Sequence, residues 1–283
     1  MKILNLMILA SAISADALVA GNVLTVEEAA KKGLVKLIIK GKGGYTGEVI
    51  EMKIRNVTNA PISLRVEAGR RLDSQNNSEQ DILVTQQQSF ALAANQERSY
   101  NVSGMCCQAH NSAPSPKSVY TVGKMADTNL VKLASFIDKN KYYSNYTAQQ
   151  AVWVVSDNNS IASIECGSRE DVQNLRNYVS QITGRPIPAY DVVYKQQNEG
   201  SVAGRPVKVE GVFAYSLNID NKVTIAIFNS EGKQVQLLFE RQAHARGEYK
   251  LFYTFNTSQL PSGTYYAKMM TDGAVMKEEK IEF

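Results

Sequence analysis

Strand-length apolar runs, cut by Gly, Pro and Asn, fill both ends of the chain, and helical periodicity is confined to one stretch between them. That order restricts the fold more than any other feature. From residue 34 to 104 the runs Val35 to Ile39, Glu48 to Ile54 and Ile62 to Val66 have strand length, and apolar residues alternate most clearly in the last two. Gly41, Gly43, Gly44 and Asn59-Ala60-Pro61 punctuate them. With Ile82 to Val84, Phe90 to Leu92 and Tyr100 to Val102 they make about six strands, the spacing of a β-sandwich.

After the loop Asn111 to Pro116 the period changes. Leu130, Leu133, Ala134 and Ile137 recur at helical spacing behind the capping sequence Asp127-Thr128-Asn129. A second helix fits Thr147 to Val155. A third opens at Ser168-Arg169-Glu170-Asp171, with Val172, Leu175, Val179 and Ile182 on one face and Gly184 and Pro186 as its stop. Three short helices between 127 and 183 cannot bury their faces alone, so they are expected to pack on the sandwich.

Pro186, Pro188, Gly200, Gly204 and Pro206 among polar residues read as a linker over 185–209. Strand signals return from Val212. Val223 to Phe228, the turn Asn229 to Lys233 and Val235 to Phe239 form a hairpin, followed by Tyr249 to Phe255, Tyr265 to Met269 and Glu279 to Phe283. The expected fold is mainly β with a small helical insert: an N-terminal β-sandwich with three short helices over 25–184, then an Ig-like sandwich over 210–283.

Hydrophobic residues at 44% and charged residues at 20% fit folded modules of this kind, not a disordered chain. The formal charge of +4 is small and its Lys and Arg are scattered, so nothing selects nucleic acid. Residues 1–20 read as a signal peptide: Lys2 precedes the apolar run Ile3 to Ile13, and small residues follow at Ala15, Ala17 and Ala20. The run falls short of the ~20 residues that span a bilayer. The mature chain is expected to start between Asp16 and Gly21.

The C-terminal stretch resembles two related families. Val223-Thr224-Ile225-Ala226-Ile227-Phe228-Asn229-Ser230-Glu231-Gly232-Lys233, Gly247-Glu248-Tyr249, Leu260-Pro261-Ser262-Gly263-Thr264-Tyr265-Tyr266, Asp272-Gly273 and Lys280-Ile281 look like the Ig-like domain of hook-capping proteins and the C-terminal sorting domain of the type IX secretion system. The Pro-Asn-Pro opening common in the hook-capping type is missing, which favours the sorting branch. The resemblance implies a partner, the secretion machinery acting through residues 210–283. It also implies a destination, the cell surface or the medium, with association at the outer-membrane surface.

The chain has three cysteines, and in an exported protein these suggest one disulfide. Adjacent Cys106 and Cys107 do not readily bond each other, so Cys166 with either of them is expected. Such a bridge would close a loop of about 60 residues, worth ~4 kcal/mol on chain-entropy grounds. A zinc site of Cys106, Cys107, His110 and Cys166 lacks the usual two-residue gap between cysteines, so no metal is expected. A Cys107–His110 nucleophile pair has no recognisable third member.

Residues 148–153, Ala-Gln-Gln-Ala-Val-Trp, are similar to the glutamine motif of bacterial thioester adhesin domains. That resemblance implies Gln149 as acyl donor and Cys107 or Cys106 as the sulfur, although the aromatic that usually follows the cysteine is absent. The plain alternative is a helix with Ala148, Ala151, Val152 and Val155 on its buried face. Tyr142, Tyr143 and Tyr146, with Lys141 and Asn145, form a candidate binding surface for a protein or glycan.

No phosphate loop, calcium loop or cofactor signature is present, and the chain's only histidines, His110 and His244, leave little from which to build a triad. The sequence therefore predicts a non-catalytic surface or secreted protein with a binding or structural module at 25–184. The alternative is a secreted enzyme or a thioester adhesin using the Cys106 and Cys107 region.

Overall fold

A computed structural model of the protein describes residues 23–195 and 205–283. The expected signal peptide and the start of the mature chain lie outside the described residues.

The protein is mainly β with short helices, as the sequence predicts. In the N-terminal module a seven-stranded antiparallel sheet runs in the order Glu97–Val102, Ile50–Asn56, Val35–Gly41, Val119–Met125, Arg70–Ser74, Ile82–Val84, Gly104–Cys106. A second sheet joins Leu24–Thr25, Ile62–Val66 and Gln88–Leu92. Between them lie Ile39, Met52, Ile54, Leu64, Leu72 and Phe90, all buried. Arg70–Ser74 escapes sequence reading because a cation occupies one of its inward positions. Arg70 is buried, paired with Glu67 and Glu27 and donating to the Gly123 carbonyl.

Helix α1 (Val26–Lys31) is set by a capping box between Thr25 and Glu28. The three expected helices follow as α2 (Thr128–Asn140), α3 (Tyr146–Ser156) and α4 (Arg169–Thr183). Asp127, Asn145 and Ser168 cap their first turns, and α4 stops at Gly184 in the left-handed conformation, φ 71°. The helices pack on the edge of the large sheet, where two strands are buried on both sides. Ile82, Val84 and Cys106 face the sandwich core, whereas Leu83, Met105 and Cys107 face Leu133, Ile137, Val152 and Leu175 of the helices. Alternation of side chains along a strand produces this division.

The C-terminal module pairs a three-stranded sheet, Tyr190–Lys195, Arg205–Leu217, Gly247–Asn256, with a four-stranded one, Gln234–His244, Asn221–Asn229, Thr264–Thr271, Ala274–Glu282. Phe213, Phe255, Ile225, Ile227 and Tyr265 fill the space between them. The linker expected at 185–209 is corrected here. Tyr190–Lys195 is a strand of this module, paired antiparallel from Tyr190 opposite Gly211 to Lys195 opposite Arg205. The Tyr190 hydroxyl accepts from the Glu282 N–H at 2.8 Å and so ties the first strand to the last. Gly211 has no Cβ because one would stand 2.7 Å from the Tyr253 hydroxyl and 2.9 Å from the Tyr190 Cβ.

The two modules touch through the 3-10 turn Ile161–Ser163 and the loop after it. Ala162 belongs to the C-terminal core. Arg176 of α4 reaches Asp191 at 2.6 Å while donating to the carbonyls of Ile164 and Ala162. The Tyr194 N–H donates to the Glu165 carboxylate at 3.0 Å.

Candidate functional site

Tyr146, Gln150 and Trp153 sit at i, i+4 and i+7 of α3, so helical geometry aligns them on one face. Tyr45 meets Tyr146 edge-on at 5.6 Å, and Tyr146 meets Trp153 at 6.3 Å and 81°. The indole N–H of Trp153 donates to Gln80 Oε1 at 3.4 Å, which fixes the ring while Gln80 also receives the Gln108 N–H. Ser163 from the 3-10 turn and Tyr194 from the first strand of the C-terminal module close the opposite side. Together they bound a cavity of about 40 Å³ at the module junction.

The loop that follows the 3-10 turn carries a perturbed carboxyl, Glu165. Gln150 Oε1 accepts the N–H groups of Glu165 and Cys166, each at 3.1 Å, and holds their loop against the helix. Burial pushes the Glu165 carboxyl up to about 7, with the Tyr194 N–H and Arg176 pulling down and Asp191 and Glu210 pushing further up. Burial likewise pushes the Tyr146 phenol up to about 12.

The structure separates the three tyrosines of the expected binding surface. Tyr142 and Tyr143 pack on the helical core, Tyr142 against Phe136 and Tyr143 with its hydroxyl on Asp138 at 2.9 Å. Tyr146 alone enters the pocket.

All three cysteines are free, which corrects the expected disulfide. Cys106 and Cys107 are buried in two different cores on opposite sides of one sheet edge, and Cys166 is exposed on the loop that Gln150 pins. Desolvation raises both buried thiols, Cys106 strongly and Cys107 to about 12 despite the nearby Arg71. A thiol held neutral is a poor nucleophile. His110 is exposed while Cys107 is buried, and no hydrogen bond joins them. Among the described residues no group of three or more His, Cys, Asp and Glu is placed to hold a metal.

Gln149 lies away from the pocket, fully buried. Its Oε1 accepts the Cys106 N–H at 2.9 Å and its Nε2 donates to the Cys106 carbonyl at 2.8 Å. Cys106 ends the outermost strand of the seven-stranded sheet, so the carboxamide supplies the pairing that a neighbouring strand would otherwise give. The residue paired with the motif glutamine is Cys106 rather than Cys107.

Residues 206–281 match the family model described as the secretion system C-terminal sorting domain. No curated protein and no solved structure matches the chain. The C-terminal module is thus a type IX secretion sorting domain, and it marks the protein for export to the cell surface or the medium. Its implied partner is the type IX secretion machinery.

Proposed function

We propose that the protein is a non-catalytic surface or secreted binding protein that crosses the inner membrane by the signal peptide and is delivered outward by its sorting module. It meets its ligand in the pocket of α3 and the module junction. The observation that carries this reading is the convergence of Tyr146 and Trp153 from α3 with Tyr194 from the first strand of the C-terminal module on one open cavity. The burial of Cys106 and Cys107 weighs in the same direction, because the two adjacent thiols are shielded from any substrate.

Trp153 is the only tryptophan of the chain and lines the cavity, so its emission reports the site directly. Titration with methyl glycosides, short peptides and alkylammonium salts is expected to change that emission for one class. The Tyr146→Ala, Tyr194→Ala double variant is expected to abolish the response. Silence towards every class removes the binding reading.

The clasp between Gln149 and Cys106 favours a second reading, a thioester. The Cys106 sulfur would bond the Gln149 carboxamide carbon, the thiol proton would leave with the amide nitrogen, and ammonia would be the leaving group. Intact mass with thiol labelling separates the readings. Free thiols predict one label on native protein, at Cys166, and three after denaturation. A thioester predicts an ammonia-sized mass deficit, which methylamine turns into a gain of one CH2 over the free chain, and only two labels after denaturation.

A further inference from the structure

The cavity does not end at its aromatic rings, and what lies beside it selects a ligand class; the inference rests on the binding reading above. Its lining residues Ala109, Asn159 and Tyr194 also line a groove of about 310 Å³ between Asn158 to Ser160 of the N-terminal module and Ser262 to Thr264 of the C-terminal one. That is the size at which small-molecule sites begin, about 300 Å³. The cavity itself, at about 40 Å³, has room for about three water-sized groups. A ring fits only in the groove, and a short substituent on that ring fits in the cavity.

The groove is polar and carries little charge. Asn158, Asn159, Ser262 and Thr264 line it, and none of their side chains has a hydrogen-bond partner among the described residues. Glu282 is the acid of the lining, and Lys280 already neutralises it. Amide and hydroxyl groups left uncommitted in this way select a neutral ligand rich in hydroxyls, which pairs donor with acceptor and needs no counter-ion. Tyr194, shared by groove and cavity, offers a ring on which the C–H face of a sugar buries apolar surface.

Asn159 and the rings decide what enters the cavity. Tyr146, Trp153 and Tyr194 surround a space that suits a methyl group. Gln150 Oε1 is committed to the N–H groups of Glu165 and Cys166, whereas the Asn159 carboxamide keeps a donor and an acceptor together, the complement of another amide. We propose that the site takes a neutral sugar bearing an acetamido substituent, with the ring in the groove, the acetyl methyl against the aromatic walls and the amide paired with Asn159. The methyl, the carbonyl carbon and its oxygen match the about three groups that the cavity admits. An acetylated lysine presents the same acetamide on an aliphatic stem, which leaves the polar groups of the groove unmatched.

The test uses the whole chain and Trp153 emission. Methyl N-acetyl-β-glucosaminide is expected to change the emission and to bind about tenfold more tightly than methyl β-glucoside, which has a hydroxyl in place of the acetamido group. Methyl β-glucosaminide, the deacetylated cation, is expected to give no response. Asn159→Ala is expected to lose that preference together with about tenfold in affinity for the acetamido sugar, and Thr264→Val about threefold, each with an unchanged near-ultraviolet circular dichroism spectrum. An Nα-blocked Nε-acetyllysine amide is expected to bind more weakly than the acetamido sugar. Equal binding of methyl β-glucoside, an Asn159→Ala variant that keeps the preference or tighter binding of the acetyllysine amide overturns the proposal. A response confined to alkylammonium salts or unmodified peptides overturns it while leaving the binding reading in place, and silence towards every class removes both.

Discussion

Joined to a passenger with its own signal sequence, residues 186–283 are expected to carry that passenger to the surface or medium of a type IX-competent host, whereas residues 210–283 are expected to leave it in the periplasm. The family match begins at residue 206, but the folded module begins earlier. Starting at 210 removes the strand Tyr190–Lys195 and with it buried Tyr190 and Val192, takes Val209 away as well, and uncovers Phe213 and Tyr253. Losing two large buried side chains costs about 5 kcal/mol or more, comparable with the whole stability of a module this size. Fractionation and immunoblotting of the two fusions give the answer. Equal export of both would show that the first strand is dispensable, and retention of both would remove the sorting assignment. In the full chain, deletion of residues 186–283 is expected to abolish surface delivery altogether.

Gln149→Leu is expected to destabilise the N-terminal module by about 4 kcal/mol, measured as a shift in the urea midpoint at unchanged slope. Leucine matches the glutamine in size but leaves the N–H and the carbonyl of Cys106 buried without partners, at about 1–3 kcal/mol each. Gln150→Leu, one residue along, frees the N–H groups of Glu165 and Cys166 on an exposed loop where water can replace the carboxamide, so it is expected to cost about 1 kcal/mol. A small effect at Gln149 would mean that the sheet edge finds another partner.

Local patterns made the architecture readable. Alternating runs such as Ile62–Val66 and the caps at Asp127, Asn145 and Ser168 are physical causes written in adjacent residues, and the strands and helices form where they indicate. Features whose cause lies far along the chain were hidden. Arg70–Ser74 carries charge at an inward position because Glu27, 43 residues away, meets it. Tyr190–Lys195 was masked by the prolines around it, and its alternation matters only once Arg205–Gly211 lies beside it.

The pocket divides in the same way. The spacing of Tyr146 and Trp153 on one helical face is legible from the sequence, whereas Tyr194 stood in a presumed linker. The unusual carboxyl of Glu165 arises only from the surroundings assembled by folding. The cysteine pairing failed for a related reason. Composition and compartment suggest a bridge, but adjacent residues on a strand face opposite ways, and that sends Cys106 and Cys107 into separate cores.

The sheet edge shared by those two cores also dictates an order of assembly. Helices α2 to α4 pack on one another but lack the sheet side of their shared core until Ile82–Val84 and Gly104–Cys106 are paired, and that pair is anchored through Arg70–Ser74 to Val119–Met125 and Val35–Gly41. Nearly a hundred residues must therefore find their register before the core of the helical layer is complete, so the search is long-range and slow. A chain built this way stays open for an extended interval after synthesis. For a protein marked for export, that interval is when it remains pliable enough to be moved.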